Sequence, residues 1–245
     1  MNKDMKKVAI VTGATGDIGR AIVAEAIEQG YYVLAFGRDT VKLHEILESF
    51  GEQNVATFSV DLSDEDKLRD ILSDVSMMFP NINLVIGSAG TFKWDDTFSG
   101  ETDEEKKENA IKFLKEVNCD SKIRFDKILH KVYGNKISPL EVLVSSHITD
   151  PKKFSEKDIA EFKEVAYFTS MKGVDDFVLE RRNDPTETWT YFGVNPGLID
   201  TQMAREAFTQ ERIGRVIDWQ MEATSPGMFA KDLFADIVIK SKKTA

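Results

Sequence analysis

The sequence predicts an open, doubly wound α/β domain with a parallel sheet covered by helices on both faces. Three observations predict it. Short apolar, β-branched runs alternate with segments of helical periodicity along the chain. The first of these runs leads straight into a glycine-rich turn, "VTGATGDIGRA". Strand and helix then keep alternating at lengths that suit right-handed crossovers between parallel strands. No repeat, low-complexity tract or linker interrupts the pattern, so residues 1–245 are expected to form one domain.

The elements follow in order. Val8 to Val11 form a buried-strand run that ends at the glycines. "RAIVAEAIEQG" then places Ile22, Val23, Ala26 and Ile27 at helical spacing, with Gly30 as a stop. "YYVLAFGRD" reads as the second strand, and "TVKLHEILESFG" as a helix with Val41, Leu43, Ile46, Leu47 and Phe50 inward. "NVATFSVDLSD" gives a third strand, "EDKLRDILSDVSMMFP" a third helix, and "INLVIGSAG" a fourth strand. The later chain predicts a helix around 105–132, a strand in "LEVLVSS" and a helix around 156–182. A strand in "TWTYFGVNPG", an irregular or helical stretch near 201–222 and a last helix from about 225 complete it. The acidic "KWDDTFSGETDEEKKEN" is expected to be a solvated loop leading into a helix. "HITDPKKFSEKDIAEFKEVA" is long for a connection in a compact domain; it either shapes a pocket or decorates the surface.

Composition narrows the function classes. A formal charge of −10 argues against a dedicated nucleic-acid binder, which shows a basic face. No apolar run approaches the ~20 residues that span a bilayer, so no membrane partner is expected. The apolar run after "MNKDMKK" is too short and too early for a secretory signal. One cysteine, Cys119, excludes an intramolecular disulfide and suits a reducing, cytoplasmic setting. With one cysteine and the scattered His44, His130 and His147, no metal site is expected.

The chemistry concentrates at the first turn. Gly13, Gly16 and Gly19 follow a strand and open a helix, with Thr15, Asp17 and Ile18 between them. Glycine permits a tight turn and close approach of backbone to a pyrophosphate, and the helix N-terminus offers free N–H groups. A dinucleotide is the expected cofactor. At the end of the second strand an acidic residue would accept from the ribose hydroxyls of NAD, whereas arginine can clamp a 2′-phosphate. The strand ends in Gly37 and Arg38, which favours NADP(H); Asp39 leaves NAD(H) open.

These motifs, in this order, resemble the short-chain dehydrogenase/reductase family from Val8 to about Lys240. "TGATGDIG" is similar to its glycine motif in the TGxxGxxG form, with Asp17 where the commoner form has glycine. "DLSD" resembles the adenine site, where Asp61 and the Leu62 backbone would hold the adenine amino group. "GSAG" resembles NNAG, so Ser88, Ala89 and Gly90 would line the cofactor. Asn118 resembles the helix asparagine of the proton relay, and Ser146, after Ser145, the substrate-orienting serine. "VNPGLIDTQM" resembles the segment beside the nicotinamide, with Pro196, Gly197 and Ile199 near the ring and Thr201 on its carboxamide or the phosphate. The resemblance implies a Rossmann-type domain with about seven parallel strands. It also implies hydride transfer between nicotinamide and a carbonyl or alcohol substrate, and a homodimer or homotetramer built on the helices around 105–132 and 156–182.

One departure stands out. The family's relay is YxxxK, in which the tyrosine exchanges the substrate proton. The lysine binds the nicotinamide ribose and lowers the tyrosine pKa. Here "YFTSMK" puts Tyr167 five residues before Lys172, and Phe168 falls four before it. The continuation "SMKGVDDFVLE" suggests that Lys172 keeps its register and the tyrosine is displaced. Three readings remain open. A local bulge, as π-bulges do at functional sites, or an altered helix entry could bring Tyr167 to the site beside Lys172. His147 or a substrate group could replace the acid. Or the protein binds the nucleotide as a regulatory or scaffold module without turnover. Beyond Pro196, Met203, Phe208 and Trp219 are expected either to line the pocket or to face the core.

Overall fold

The computed structural model describes residues 6–149, 166–209 and 222–241. Six strands form one sheet in the order β3-β2-β1-β4-β5-β6, with every pair parallel. They are β1 (Val8–Thr12), β2 (Tyr32–Gly37), β3 (Val55–Ser59), β4 (Leu84–Gly87), β5 (Leu140–Val144) and β6 (Thr190–Val194). Six strands are described, one fewer than the about seven expected. The strand order reverses between β1 and β4, which opens a crevice beyond their carboxyl ends; ligands of such sheets bind there.

All five residues of β1 are buried because both faces of the sheet are covered. Val8 and Ile10 point to one core, with Leu34 and Phe36 of β2. Ala9 and Val11 point to the other, with Val33 and Ala35. The second core is closed by α1 (Asp17–Glu28), α2 (Thr40–Phe50) and α8 (Pro226–Ser241). In α2, Leu43 and Ile46 are buried as expected, but Val41 is exposed. Two residues of helix rotate it roughly 200° away from Leu43. The first core is closed by α3 (Glu65–Met78), α5 (Ser121–Tyr133) and α6 (Ala166–Asn183).

The helix expected around 105–132 is two helices joined by a π-turn. A capping box, Thr102 with Glu105, starts α4 (Asp103–Lys115). The chain then widens into a π-turn over Glu116–Asp120 and continues as α5. Cys119 on this turn meets α6 at Gly173, where an added Cβ would lie 2.7 Å from its Sγ. Asn118 on the same turn donates to Ser170 Oγ at 3.0 Å. These two contacts set the rotation of α6 about its axis. Ser170, Met171, Val174 and Phe177 face inward, and Lys172, Asp176 and Leu179 face solvent. The part of this helix expected before Ala166 lies outside the described residues, as does most of the stretch expected near 201–222.

Candidate active site

A cavity of about 770 Å³ opens at the carboxyl ends of the strands. The glycine turn forms one end of it. Gly13 has φ +70°, and a Cβ there would sit 2.6 Å from the Ala89 backbone. A Cβ on Gly19 would lie 2.1 Å from the Gly13 carbonyl oxygen. Gly16 is different, since its nearest internal neighbour would be 3.5 Å away. It is the N-cap of α1 and provides no side-chain hydrogen bond, so the first-turn N–H groups have no cap at the cavity wall. Asp17 accepts from the Gln202 amide at 2.8 Å and ties the start of α1 to the start of α7 (Gln202–Ala207).

Each flank of this cradle is held from within the fold. A Cβ on Gly37 would meet Thr15 Cγ2 at 2.7 Å, so β2 passes close under the turn. Ser88 Oγ donates to the Thr12 carbonyl at 2.6 Å and fixes the end of β4 to β1. Arg38 and Lys42 line the cavity at the end of β2. Arg38 reaches Asp61 only at 3.5 Å, and both side chains are largely exposed. Asp39 is already committed, accepting from the Val41 and Lys42 amides as the N-cap of α2. Asp61 accepts from the Ser63 amide and hydroxyl at 2.9 and 2.8 Å, which holds its carboxyl below the usual range. The Leu62 carbonyl accepts from Arg124 at 3.0 Å. Pro196, Gly197 and Ile199 line the opposite wall, and Thr201 caps α7 by accepting from the Ala204 amide at 3.0 Å.

At the other end stand Ser145, Ser146 and Tyr167. The Ser146 hydroxyl and the Tyr167 phenol line the same end of the cavity. Burial pushes the Tyr167 phenol up to about 12, and the nearby Ser146 hydroxyl opposes part of that rise. The Phe92 ring meets Tyr167 edge-on at 4.8 Å, and Ser145 Oγ donates to the Met171 carbonyl at 3.2 Å.

Lys172 is elsewhere. It is exposed and pairs with Asp176 one turn along α6. The expected register is therefore reversed: Tyr167 and Met171 line the cavity, while Phe168 and Lys172 do not. From Ala166 onward α6 is regular α-helix without a bulge. At 100° per residue, a helix that points Tyr167 inward points the fourth residue on inward and swings the fifth away. Asn118 is fully buried but outside the cavity lining. It accepts from the Thr91 amide at 2.7 Å and donates to the Thr91 carbonyl at 2.9 Å, so it clamps the chain after β4. His147 begins a short 3₁₀ turn, and its side chain lies outside the described residues.

Sequence reasoning missed two groups here. Lys122 of α5 is buried, lines the cavity and donates to the Val144 carbonyl at 2.8 Å. Burial lowers its pKa to about 8. Phe92 and Trp94 form an aromatic wall with Phe208 at centroid distances of 5.1, 5.2 and 5.9 Å. Trp94 Nε1 donates to the Ala207 carbonyl at 2.8 Å, and the Phe92 amide to Met203 Sδ at 3.2 Å. The segment expected as a solvated loop thus starts packed; its aromatic spacing was the available signal. Met203 and Phe208 line the cavity, and Trp219 lies outside the described residues.

The sequence matches the family model for the short chain dehydrogenases over residues 7–212. The chain belongs to the short-chain dehydrogenase family. An uncharacterized oxidoreductase of Staphylococcus epidermidis is 34% identical over 90 residues, 37% of this chain and 39% of that relative. One from Staphylococcus aureus is 31% identical over 84 residues, 34% of this chain and 36% of that relative. The matches thus span well under half the length of these curated relatives. A short-chain dehydrogenase structure from Streptomyces avermitilis superposes with TM-score 0.74 at 19% identity, covering 96% of this chain and 85% of that one. An alcohol dehydrogenase from Thermococcus sibiricus, complexed with 5-hydroxy-NADP, gives 0.68 at 19% identity over 94% and 90%. The F189W actinorhodin polyketide ketoreductase with NADPH gives 0.75 at 20% identity over 96% and 91%.

In this chain Ser146 and Tyr167 line the cavity together, while Lys172 of α6 faces solvent. Among the described residues no helix is long and apolar enough to cross a membrane.

Proposed function

We propose that this short-chain dehydrogenase is an NADP(H)-dependent oxidoreductase that interconverts a carbonyl and an alcohol. The observation that carries the reading is the Ser146–Tyr167 hydroxyl pair in the same cavity as the glycine cradle. The cradle fits a dinucleotide. Gly13 and Gly19 leave no space for a Cβ, and the N-terminus of α1 is uncapped towards the cavity. Arg38 and Lys42 supply two cations where the second strand ends, and Asp39 is spent on a helix cap, which favours a 2′-phosphate over a bare ribose. The NADPH and 5-hydroxy-NADP named with two structural neighbours agree with this choice. Gly13 to Gly19 would hold the pyrophosphate, Asp61 and Leu62 the adenine, and Pro196 to Thr201 the nicotinamide side.

The bound dinucleotide would supply the hydride chemistry. The chain supplies the rest. Ser146 donates a hydrogen bond to the substrate oxygen. Tyr167, a phenol and so protonated at neutral pH, gives that oxygen its proton. Phe92 and Phe208 line the substrate end with aromatic surface, and Trp94 packs against both rings. This wall favours an apolar or aromatic substrate. The rival reading, a nucleotide-binding module without turnover, would gain from Phe168 facing the cavity; Phe168 is not on its lining. A homodimer or homotetramer acting in the cytoplasm completes the proposal, by family analogy.

The test is turnover of a carbonyl panel with NADPH by the wild type and Tyr167→Phe. Loss of the acid is expected to lower kcat by about 10²–10⁴-fold while NADPH still binds. Equal rates in the two proteins would remove Tyr167 from the chemistry. No turnover across the panel by a protein that binds NADPH would favour the binding module.

A further inference from the structure

We propose that Lys122, from α5, provides the ammonium that α6 does not, holding the ribose hydroxyls of the bound dinucleotide at the carboxyl ends of β4 and β5. The proposal rests on the dinucleotide reading above. One turn after Tyr167 the α6 face carries Met171, which has neither charge nor donor. Lys172, the next residue, is turned about 100° away to solvent and pairs with Asp176. Lys122 enters the same cavity from the neighbouring helix. Its stem passes Gly87 at the end of β4, where an added Cβ would lie 3.9 Å from Lys122 Cδ. Its ammonium stops at the Val144 carbonyl, immediately before Ser145 and Ser146. This is the crevice where open parallel sheets bind their ligands.

The energetics point to a ligand rather than to a structural lysine. Lys122 is 3% exposed and buried among apolar strand ends. Of its three N–H donors, one is taken by Val144 among the described residues, at 2.8 Å. Cys119 of the π-turn and Asp175 of α6 favour its charge, yet burial outweighs them and brings its pKa down to about 8. A buried ammonium with a single neutral acceptor is costly, and a methionine or leucine of similar volume would fill the site without that cost. Donors left over at a cavity wall become favourable once hydroxyl groups of a ligand reach them. The π-turn just before α5 is the local device that turns this face, with Asn118 and Cys119, onto α6 and the strand ends.

The experiment measures NADPH affinity by fluorescence titration and thermal stability, on the full chain. The proteins are the wild type, K122M, K172M and the double variant K122M/M171K. K122M is expected to weaken NADPH binding by roughly tenfold to a hundredfold, with its melting temperature unchanged or raised. K172M is expected to bind within about twofold of the wild type, as suits a surface pair. K122M/M171K restores an ammonium to the cavity face and is expected to recover part of the lost affinity. K122Q gives the same reading should K122M misfold. Wild-type affinity in K122M, or a loss that follows a fall in melting temperature and is not recovered by M171K, overturns the proposal. A wild type that does not bind NADPH overturns it together with the dinucleotide reading. Selective loss in K122M with no carbonyl turned over by any variant upholds Lys122 and removes only the reductase reading.

Discussion

Arg38 offers the sharpest test of cofactor choice. Its side chain is 69% exposed and, among the described residues, pairs with Asp61 at 3.5 Å. Replacing it with glutamine removes a weak surface contact, so stability should change by no more than about 0.5 kcal/mol. Its contribution to a bound 2′-phosphate is larger. Hydrogen bonds to charged groups contribute about 1.5–3 kcal/mol each. At so exposed a site screening favours the lower half of that range, and Lys42 remains nearby. A loss of about 1.5–2 kcal/mol corresponds to roughly tenfold to thirtyfold weaker NADPH binding. NADH lacks the phosphate, so its affinity should stay the same. Asp39 cannot compensate by gripping a ribose while it caps α2. The assay is fluorescence titration of NADPH and NADH with wild type and Arg38→Gln, at low and high salt. The wild-type preference for NADPH should shrink as salt rises and should largely vanish in the variant. Equal losses for both nucleotides, or no loss for either, would refute the assignment of Arg38 to the 2′-phosphate.

Two further outcomes follow from the geometry. Gly19→Ala drives a Cβ to 2.1 Å from the Gly13 carbonyl, a backbone conflict that no rotamer relieves. At an overpacking cost of about 2 kcal/mol, melting should fall by about 4–8 °C; Gly16→Ala, with its nearest atom at 3.5 Å, should melt normally yet bind NADPH poorly. Equal stability of the two variants would contradict the packing argument. Glu141 of β5 is buried with its carboxyl facing Asp126, and burial together with that anion raises its pKa well above the ordinary 4.5. Unfolding lets it ionise, so its contribution favours the fold below about pH 4.5 and declines as pH rises towards its folded value. Glu141→Gln removes that decline, and its melting temperature should gain on the wild type progressively from pH 4.5 upward; a pH-independent difference would sink this account.

The sequence by itself determined what depends on local backbone and periodicity. The apolar run Val8 to Val11, the turn glycines and the alternating strands and helices led to the parallel sheet. The lining by Arg38, Ser88, Ser146 and Pro196 was legible because each follows a strand end, and in an open parallel sheet those ends converge on one crevice. The reading failed where a rotation mattered. "YFTSMK" admits two registers one residue apart, and one residue is about 100° of helix. Nothing along that strip says which residue faces in. Tertiary contact decides it: Gly173 packs on Cys119, Ser170 bonds Asn118, and both partners sit on a π-turn in another helix. The same contacts place Tyr167 beside Ser146 and turn Lys172 to solvent. Lys122, unremarkable in sequence, becomes a cavity lysine because α5 carries it beneath the ends of β4 and β5. Sequence spacing fixes which residues share a face within one helix, but only packing against a neighbour fixes where that face points.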